Sequence, residues 1–169
     1  MKLGILSDTH DHIPNLQKAI SEFNKQGVEL VIHCGDWASP FMPYFTKGLK
    51  CKILSIFGNN EGDHFNFINR EYPEEVEFHK EILVTQQAGK RLAVYHGTKQ
   101  EITEALIACG EYDAVFTGHT HMPVVVSIGK TLHVNPGTLG FFRGGKLIDD
   151  PTIAVYNTET NTAEIILLR

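Results

Sequence analysis

Carboxylate, amide and imidazole side chains gather at five short stretches: Ser7-Asp8-Thr9-His10, Cys34-Gly35-Asp36, Gly58-Asn59-Asn60, His96-Gly97 and Gly118-His119-Thr120-His121. Each follows directly on an apolar run: KLGIL, LVIH, ILSIF, LAVY and AVFT respectively. Mixed oxygen and imidazole donors suit Mn, Fe, Ni or Zn, whereas calcium and magnesium draw more carboxylates and carbonyls and fewer histidines. In open α/β sheets the carboxyl ends of strands form the crevice where ligands bind, so residues remote in sequence share one rim. Gly35, Gly58, Gly97 and Gly118 each stand beside such a donor, where a sharp turn or close backbone approach requires a residue without a Cβ. The spacings Asp8-x-His10 and His119-x-His121 send alternate side chains the same way where the backbone is extended.

The elements that must position these groups are legible in the hydrophobic pattern. KLGILS reads as a buried strand, and IPNLQKAISEFNKQG as a helix with Ile13, Leu16, Ile20 and Phe23 on one face, Pro14 in its first turn and Gly27 at its stop. LVIH and KILSIF are further strands, separated by a segment that holds a short helix after a proline-marked turn. Alternating strands and helices of this kind form a parallel βαβ layer. KEILVTQQ and KRLAVYHG read as a hairpin around Ala88-Gly89, and TKQEITEALIACG as a helix with a capping box from Thr98 to Glu101, Gly110 at its end and an apolar face of Ile102, Ala105, Leu106 and Cys109. Two more hairpin-like pairs follow AVFT. The expected fold is a single mixed α/β domain over residues 1–169, two sheets face to face with helices outside.

With 169 residues, 42% hydrophobic and 21% charged, the chain has ordinary globular composition, far from that of disordered segments. A net charge of −5 lacks the basic stripe that grips a nucleic-acid backbone, so general nucleic-acid binding is not expected. Cys34, Cys51 and Cys109 form no C-x-x-C pair and are expected as buried, reduced thiols of a cytoplasmic protein. No apolar stretch approaches a signal-peptide core or a membrane span. His33, His64, His79 and His133 are read as structural, Trp37 and FMPYF as core, and the Asn135-Pro136-Gly137 turn as a support of the rim.

The ordered set D-x-H, G-D, G-N-N, H-G and G-H-T-H at strand ends resembles the calcineurin-like metallophosphoesterase superfamily. The short chain and Asn135-Pro136-Gly137-Thr138 are similar to its small bacterial and archaeal phosphodiesterase branch, to which the retromer subunit Vps29 is related. This resemblance implies a four-layer αββα sandwich binding two divalent metal ions, manganese first, with Ni, Fe or Zn as alternatives. It assigns Asp8, His10, Asp36 and His121 to one ion and Asp36, Asn59, His96 and His119 to the other, with Asp36 bridging. The implied activity is hydrolysis of a small phosphodiester by a hydroxide shared between the ions. The alternative is a non-catalytic, Vps29-like interaction module; a DNA nuclease would need more positive charge than the chain carries. Many superfamily members have G-N-H-[DE], but here the motif is Gly58-Asn59-Asn60-Glu61. Asn60 can hydrogen-bond a phosphate yet cannot deliver a proton as imidazolium does, which predicts slow turnover favouring good leaving groups. His12, at a helix start, and Arg143, in the glycine-rich GTLGFFRGGK loop, are the other candidates to face the substrate. Specificity belongs to residues 37–48, 61–75 and 138–150, and the pattern is compatible with a homo-oligomer.

Overall fold

The computed structural model describes residues 1–73 and 76–169, so the last part of the 61–75 loop lies outside the described residues. In chain order the elements are β1 (Lys2–Leu6), α1 (Ile13–Gln26), β2 (Leu30–His33), a 3-10 turn at Met42–Thr46, β3 (Ile53–Ser55), α2 (His64–Asn69), β4 (Val76–Phe78), β5 (Ile82–Gln87), β6 (Lys90–Tyr95), α3 (Gln100–Ala108), β7 (Ala114–Phe116), β8 (Val124–Ile128), β9 (Thr131–Asn135), β10 (Phe142–Arg143), β11 (Lys146–Leu147), β12 (Thr152–Asn157) and β13 (Thr162–Leu167). One sheet has the order β13-β12-β1-β2-β3-β4, a second β5-β6-β7-β9-β8, and β10 and β11 form a separate ribbon.

Both large sheets are mixed. β1 to β4 pair in parallel, with the β12–β13 hairpin added antiparallel at β1. In the second sheet β6, β7 and β9 are parallel, and β5 and β8 close the edges antiparallel. The hairpins read from the sequence are therefore edges grafted on parallel centres. Inward-facing Leu3, Ile5, Ile32 and Tyr156 of one sheet meet Leu92, Val94, Phe116 and Val134 of the other in a single apolar layer. The outer face of the first sheet packs on α1 through Leu16, Ala19, Ile20 and Phe23, and that of the second on α3 through Ile107. The expected αββα sandwich is what the chain adopts.

α1 matches its pattern: His12 Nδ1 caps it by accepting the Asn15 N–H at 3.0 Å, and Gly27 ends it in left-handed conformation at φ 66°. α3 departs from its pattern. It is capped by Lys99 without any side-chain bond, because Tyr95 Oη takes the Lys99 N–H at 3.0 Å and Thr98 stays in the preceding turn. Its inward face is Ile107 with half-buried Leu106, while Ile102 and Cys109 point outward. The short helix covers only Ala93 and Val115 at the sheet centre, so one buried side chain anchors it. The thiols correct the expectation likewise: Cys34 is in the intersheet core, Cys51 is half-buried and Cys109 exposed, since they fall after a strand, in a turn and at a helix end. Trp37 and Met42 are core, but Phe41, just before the 3-10 turn, and Tyr44 and Phe45 within it are exposed. Helix α2 carries too few apolar repeats to be read from the sequence.

Candidate metal centre

β1, β2 and β3 of one sheet and β6 and β7 of the other end at the same edge of the sandwich, and their following loops meet there. Asp8, Asp36 and His96 are buried, and His10, His119 and His121 half-buried. The backbone of this rim is not extended. Asp8, His10, Asp36, His119 and His121 all have φ between 43° and 66°, a conformation uncommon outside glycine and typical of functional sites. The D-x-H and H-x-H pairs thus converge through tight left-handed turns rather than by strand alternation, which corrects the extended reading.

Loops could not come so close with larger residues at two positions. A Cβ on Gly118 would overlap Ser7 Oγ and stand 2.6 Å from Asp8 Oδ2, and one on Gly58 would collide with Asp36 Oδ1 and stand 2.9 Å from the His96 ring. Around them a frame of hydrogen bonds fixes the rim. Asp8 Oδ2 accepts the His119 N–H at 3.0 Å. Its carbonyl accepts from Thr138 Oγ1 and Gly140 N at 2.9 and 3.0 Å. Asn135 Nδ2 donates to Gly118 O at 2.7 Å, so the Asn135 turn does support the rim. Buried Glu61 accepts the N–H groups of Trp37 and Gly58, tying two of the loops together. His33, stacked on Trp37 at 3.7 Å and bonded to Thr9 Oγ1 at 2.8 Å, is framework; burial pushes its pKa down to about 3, so it is neutral.

The donor atoms fall into two groups, Asp8-His10-His121 and Asp8-Asp36-His96. His121, His10 and His96 direct Nε2 at Asp8 Oδ1 from 3.2, 3.6 and 3.9 Å, and Asp36 Oδ2 lies 3.3 Å from His96 Nε2 and 3.7 Å from His10 Nε2. Asn59 Oδ1 is 3.1 Å from His96 Nε2, and the His119 ring stands 5.2 Å from that of His96, centre to centre. Asp8 thus belongs to both groups, whereas Asp36, expected as the bridge, is grouped with His96 and only approaches His10 of the other group.

These contacts are the test of whether a cation fits. His96 Nδ1 faces the Cys34 carbonyl at 2.7 Å and His121 Nδ1 faces that of Phe142, so in the neutral rings each Nδ1 carries the hydrogen. The Nε2 lone pairs then point at carboxylate and amide oxygens and, for His121, at His10 Nε2 3.1 Å away. Against the carboxylate oxygens lone pair faces lone pair, and Asp8 Oδ1 is buried without a hydrogen bond. A divalent cation, or failing that a proton, resolves that repulsion. The electrostatics agree. Burial opposes ionisation of Asp8, yet His10, His121 and His96 hold its carboxyl well below the ordinary range. Burial likewise opposes charge on His96, but Asp36 and Asp8 raise it to about 8. Against burial, Asp36 is lowered by His96 and Asn60, and His121 is raised by Asp8; His119 is lowered by burial and by His96.

The other sequence candidates are engaged with the protein. Asn60 lays its amide on Asp36 Oδ2 at 2.6 Å and its N–H on Asp36 Oδ1 at 2.8 Å. The His12 ring caps α1 and rests on Phe141, 4.3 Å centre to centre. Arg143, expected to reach out from its loop, is held in the β10–β11 ribbon: its guanidinium donates to Asp150 Oδ2 at 2.8 Å and to His121 O at 2.9 Å. Asp150 was not singled out in the sequence, where nothing marks it apart from its neighbour Asp149.

A cavity of about 510 Å³ borders His119, and one of about 300 Å³ borders Asn59 and His96. A larger one of about 650 Å³, between Phe57, Phe67 and Phe78, includes none of the candidate ligands.

Comparison with known proteins adds a family. Residues 1–161 match the calcineurin-like phosphoesterase superfamily domain. The chain is 36% identical over 171 residues to Phosphodiesterase MJ0936 of Methanocaldococcus jannaschii, covering 99% of each, and 24% identical to Phosphodiesterase YfcE of Escherichia coli K12, covering 92% and 91%. Among solved structures, a novel archaeal phosphodiesterase superposes with a TM-score of 0.87 at 36% identity over 99% of this chain and 100% of that one. Zinc-complexed Vps29 of Entamoeba histolytica superposes at 0.69 with 15% identity over 100% of both chains, a likeness of fold alone.

Proposed function

The chain belongs to the calcineurin-like phosphoesterase superfamily, and from that premise we propose that it hydrolyses small phosphodiesters with two divalent cations, manganese first among them. The observation that carries this reading is the buried, unbonded Asp8 Oδ1 with three imidazole nitrogens aimed at it. Asp8, His10, Asp36 and His121 would hold one cation and Asp36, Asn59, His96 and His119 the other. When bound, such a pair supplies Lewis acidity and a water acidic enough to ionise near neutral pH.

The protein's own share is positioning and charge. The Cys34 carbonyl fixes the His96 tautomer so that Nε2 faces inward, as hydrogen-bonded second partners do for ligating histidines. Asn60 locks the Asp36 carboxylate while offering no proton, so a departing alkoxide receives little help from it. Substrates with good leaving groups are favoured, and diesters over monoesters, whose second charge meets no cationic side chain from Asn60.

The test is hydrolysis of bis(4-nitrophenyl) phosphate with added Mn²⁺. Activity should vanish with a chelator and fall at least about 100-fold in Asp36→Asn and His96→Ala. Wild-type inactivity with Mn, Ni, Fe and Zn alike overturns the reading in favour of a non-catalytic interaction module.

A further inference from the structure

Helix α3 is one residue out of register with its apolar pattern, and Ile102 is left outside the core. The two cavities beside the metal centre give that placement a use. They lie on either side of the first turn of α3 and share Thr98, the second residue after His96. The larger runs from Gly118-His119-Thr120 along one side of the helix, past Gln100 and Glu104, to an apolar wall of Val124 and Ile128. The smaller runs from Asn59 and His96 along the other side, past Lys99 and Ile102, to Phe57 and Ile82. Both sizes fall in the range of small-molecule sites, roughly 300–1,000 Å³.

A phosphodiester has two alcohol arms that diverge from a tetrahedral phosphorus. With phosphorus at the metal centre, one arm is directed to each side of α3. Resting on the hydrolase reading above, we propose that the two cavities are the two arm subsites, and that the larger takes a neutral alcohol of the size of a nucleoside while the smaller takes an apolar arm no larger than a single aryl ring. Room makes the distinction first, about 510 Å³ against about 300 Å³. In the larger cavity the Glu104 carboxylate, held by Gln100 Nε2 at 2.7 Å, disfavours an anionic arm and offers an acceptor to ring N–H groups, while Val124 and Ile128 give the same cavity apolar surface on which a ring can lie. Besides Glu81 and Lys99, the smaller is walled by Phe57, Ile82 and Ile102, against which one flat apolar group can pack but a nucleoside has no room. α3 thus sorts the two arms, and the outward Ile102 is one wall of a subsite.

Two esters with the same leaving group separate the arms: the 4-nitrophenyl ester of thymidine 5′-phosphate, and methyl 4-nitrophenyl phosphate, each with Mn²⁺. The wild-type protein should prefer the thymidine ester, and Glu104→Trp or Ile128→Trp, which fill the larger cavity from exposed positions, should reduce the ratio of the two kcat/KM values about tenfold. Ile102→Trp should lower kcat/KM for both esters, since both place the aryl arm in the smaller cavity. An unchanged ratio in Glu104→Trp and Ile128→Trp overturns the subsite assignment while leaving hydrolysis intact. If the wild-type protein cleaves neither ester, the hydrolase reading fails, and calorimetric binding of the thymidine ester decides the cavity: affinity lost in Glu104→Trp supports it, and equal or absent binding overturns it.

Discussion

His96 decides how the cluster of candidate ligands behaves without a cation. Its folded-state pKa, raised to about 8 by Asp36 and Asp8 against the penalty of burial, exceeds the ordinary 6.5, so folding favours the protonated ring. The stabilisation is complete below pH 6.5 and is lost as pH rises through 8, about 2 kcal/mol by linkage. Glu61, raised to about 7 by burial and the Asp36 charge, loses stability with the same sign between pH 4.5 and 7. His33 has the opposite sign: held down to about 3, it stabilises above pH 6.5 and loses that contribution as pH falls, and the depressed carboxyls of Asp8 and Asp36 lose theirs below their ordinary range. Thermal unfolding of chelator-treated protein should therefore show a falling Tm from pH 6.5 to 9, and added Mn²⁺ should abolish the fall by replacing the proton. A flat profile contradicts the picture of imidazole lone pairs facing oxygen. Asn60→His tests the other side of the site. An imidazole there would supply a proton donor that Asn60 is not, so the rate on a poor leaving group, such as an alkyl arm, should rise about tenfold or more; no rise removes the proposed proton deficiency at this position.

At the scale of elements, the β10–β11 ribbon clamps one candidate ligand, His121. Arg143 joins the His121 carbonyl to Asp150, and the Phe142 carbonyl receives the His121 ring, so both the backbone and the side chain of His121 are set by this ribbon. Arg143→Ala should lower Mn²⁺ affinity about tenfold in a calorimetric titration, the scale of second-partner effects, while stability falls by only about 1 kcal/mol, since Asp150 is half exposed. Arg143→Lys should restore little, because a single ammonium does not span the two acceptors as the guanidinium fork does. The sequence marked Arg143 by its glycine-rich setting but could not show its partners, which depend on how the ribbon folds back. The same boundary runs through the rest of the chain. Strands were legible as apolar runs and α1 by its periodicity, because burial on one face repeats in the sequence. The register of α3 was not, since a helix anchored by one buried residue leaves its other apolar side chains free to serve elsewhere. The seven candidate ligands stood out by type and strand-end position; the left-handed turns that aim five of them leave no mark in polar residues that tolerate either conformation.

At the scale of the molecule, the site is split between the sheets. Asp8, His10, Asp36 and Asn59 follow strands of one, and His96, His119 and His121 follow strands of the other, so their spacing is set by how the sheets press together. Phe116 sits at that interface, fully buried and edge-on to Tyr156 at 5.3 Å, immediately before the loop that carries His119 and His121. Phe116→Ala should cost about 3–5 kcal/mol from lost burial and a residual cavity, a large part of the 5–15 kcal/mol typical of a domain. Saturating Mn²⁺ restores stability by mass action, about 2.7 kcal/mol at 100 times Kd, and wild-type protein should show that rise in Tm. In Phe116→Ala the sheets can relax toward each other, which moves the two halves of the ligand set, so Mn²⁺ affinity of the folded variant should fall as well. Ile107→Ala, on the inward face of α3 against the outer face of the second sheet, is the comparison: it should lower Tm by a similar mechanism without altering the intersheet spacing. If both variants keep wild-type Mn²⁺ affinity, the site is rigid within its loops and the intersheet core only supports it; if Phe116→Ala alone loses affinity, the core sets the metal geometry.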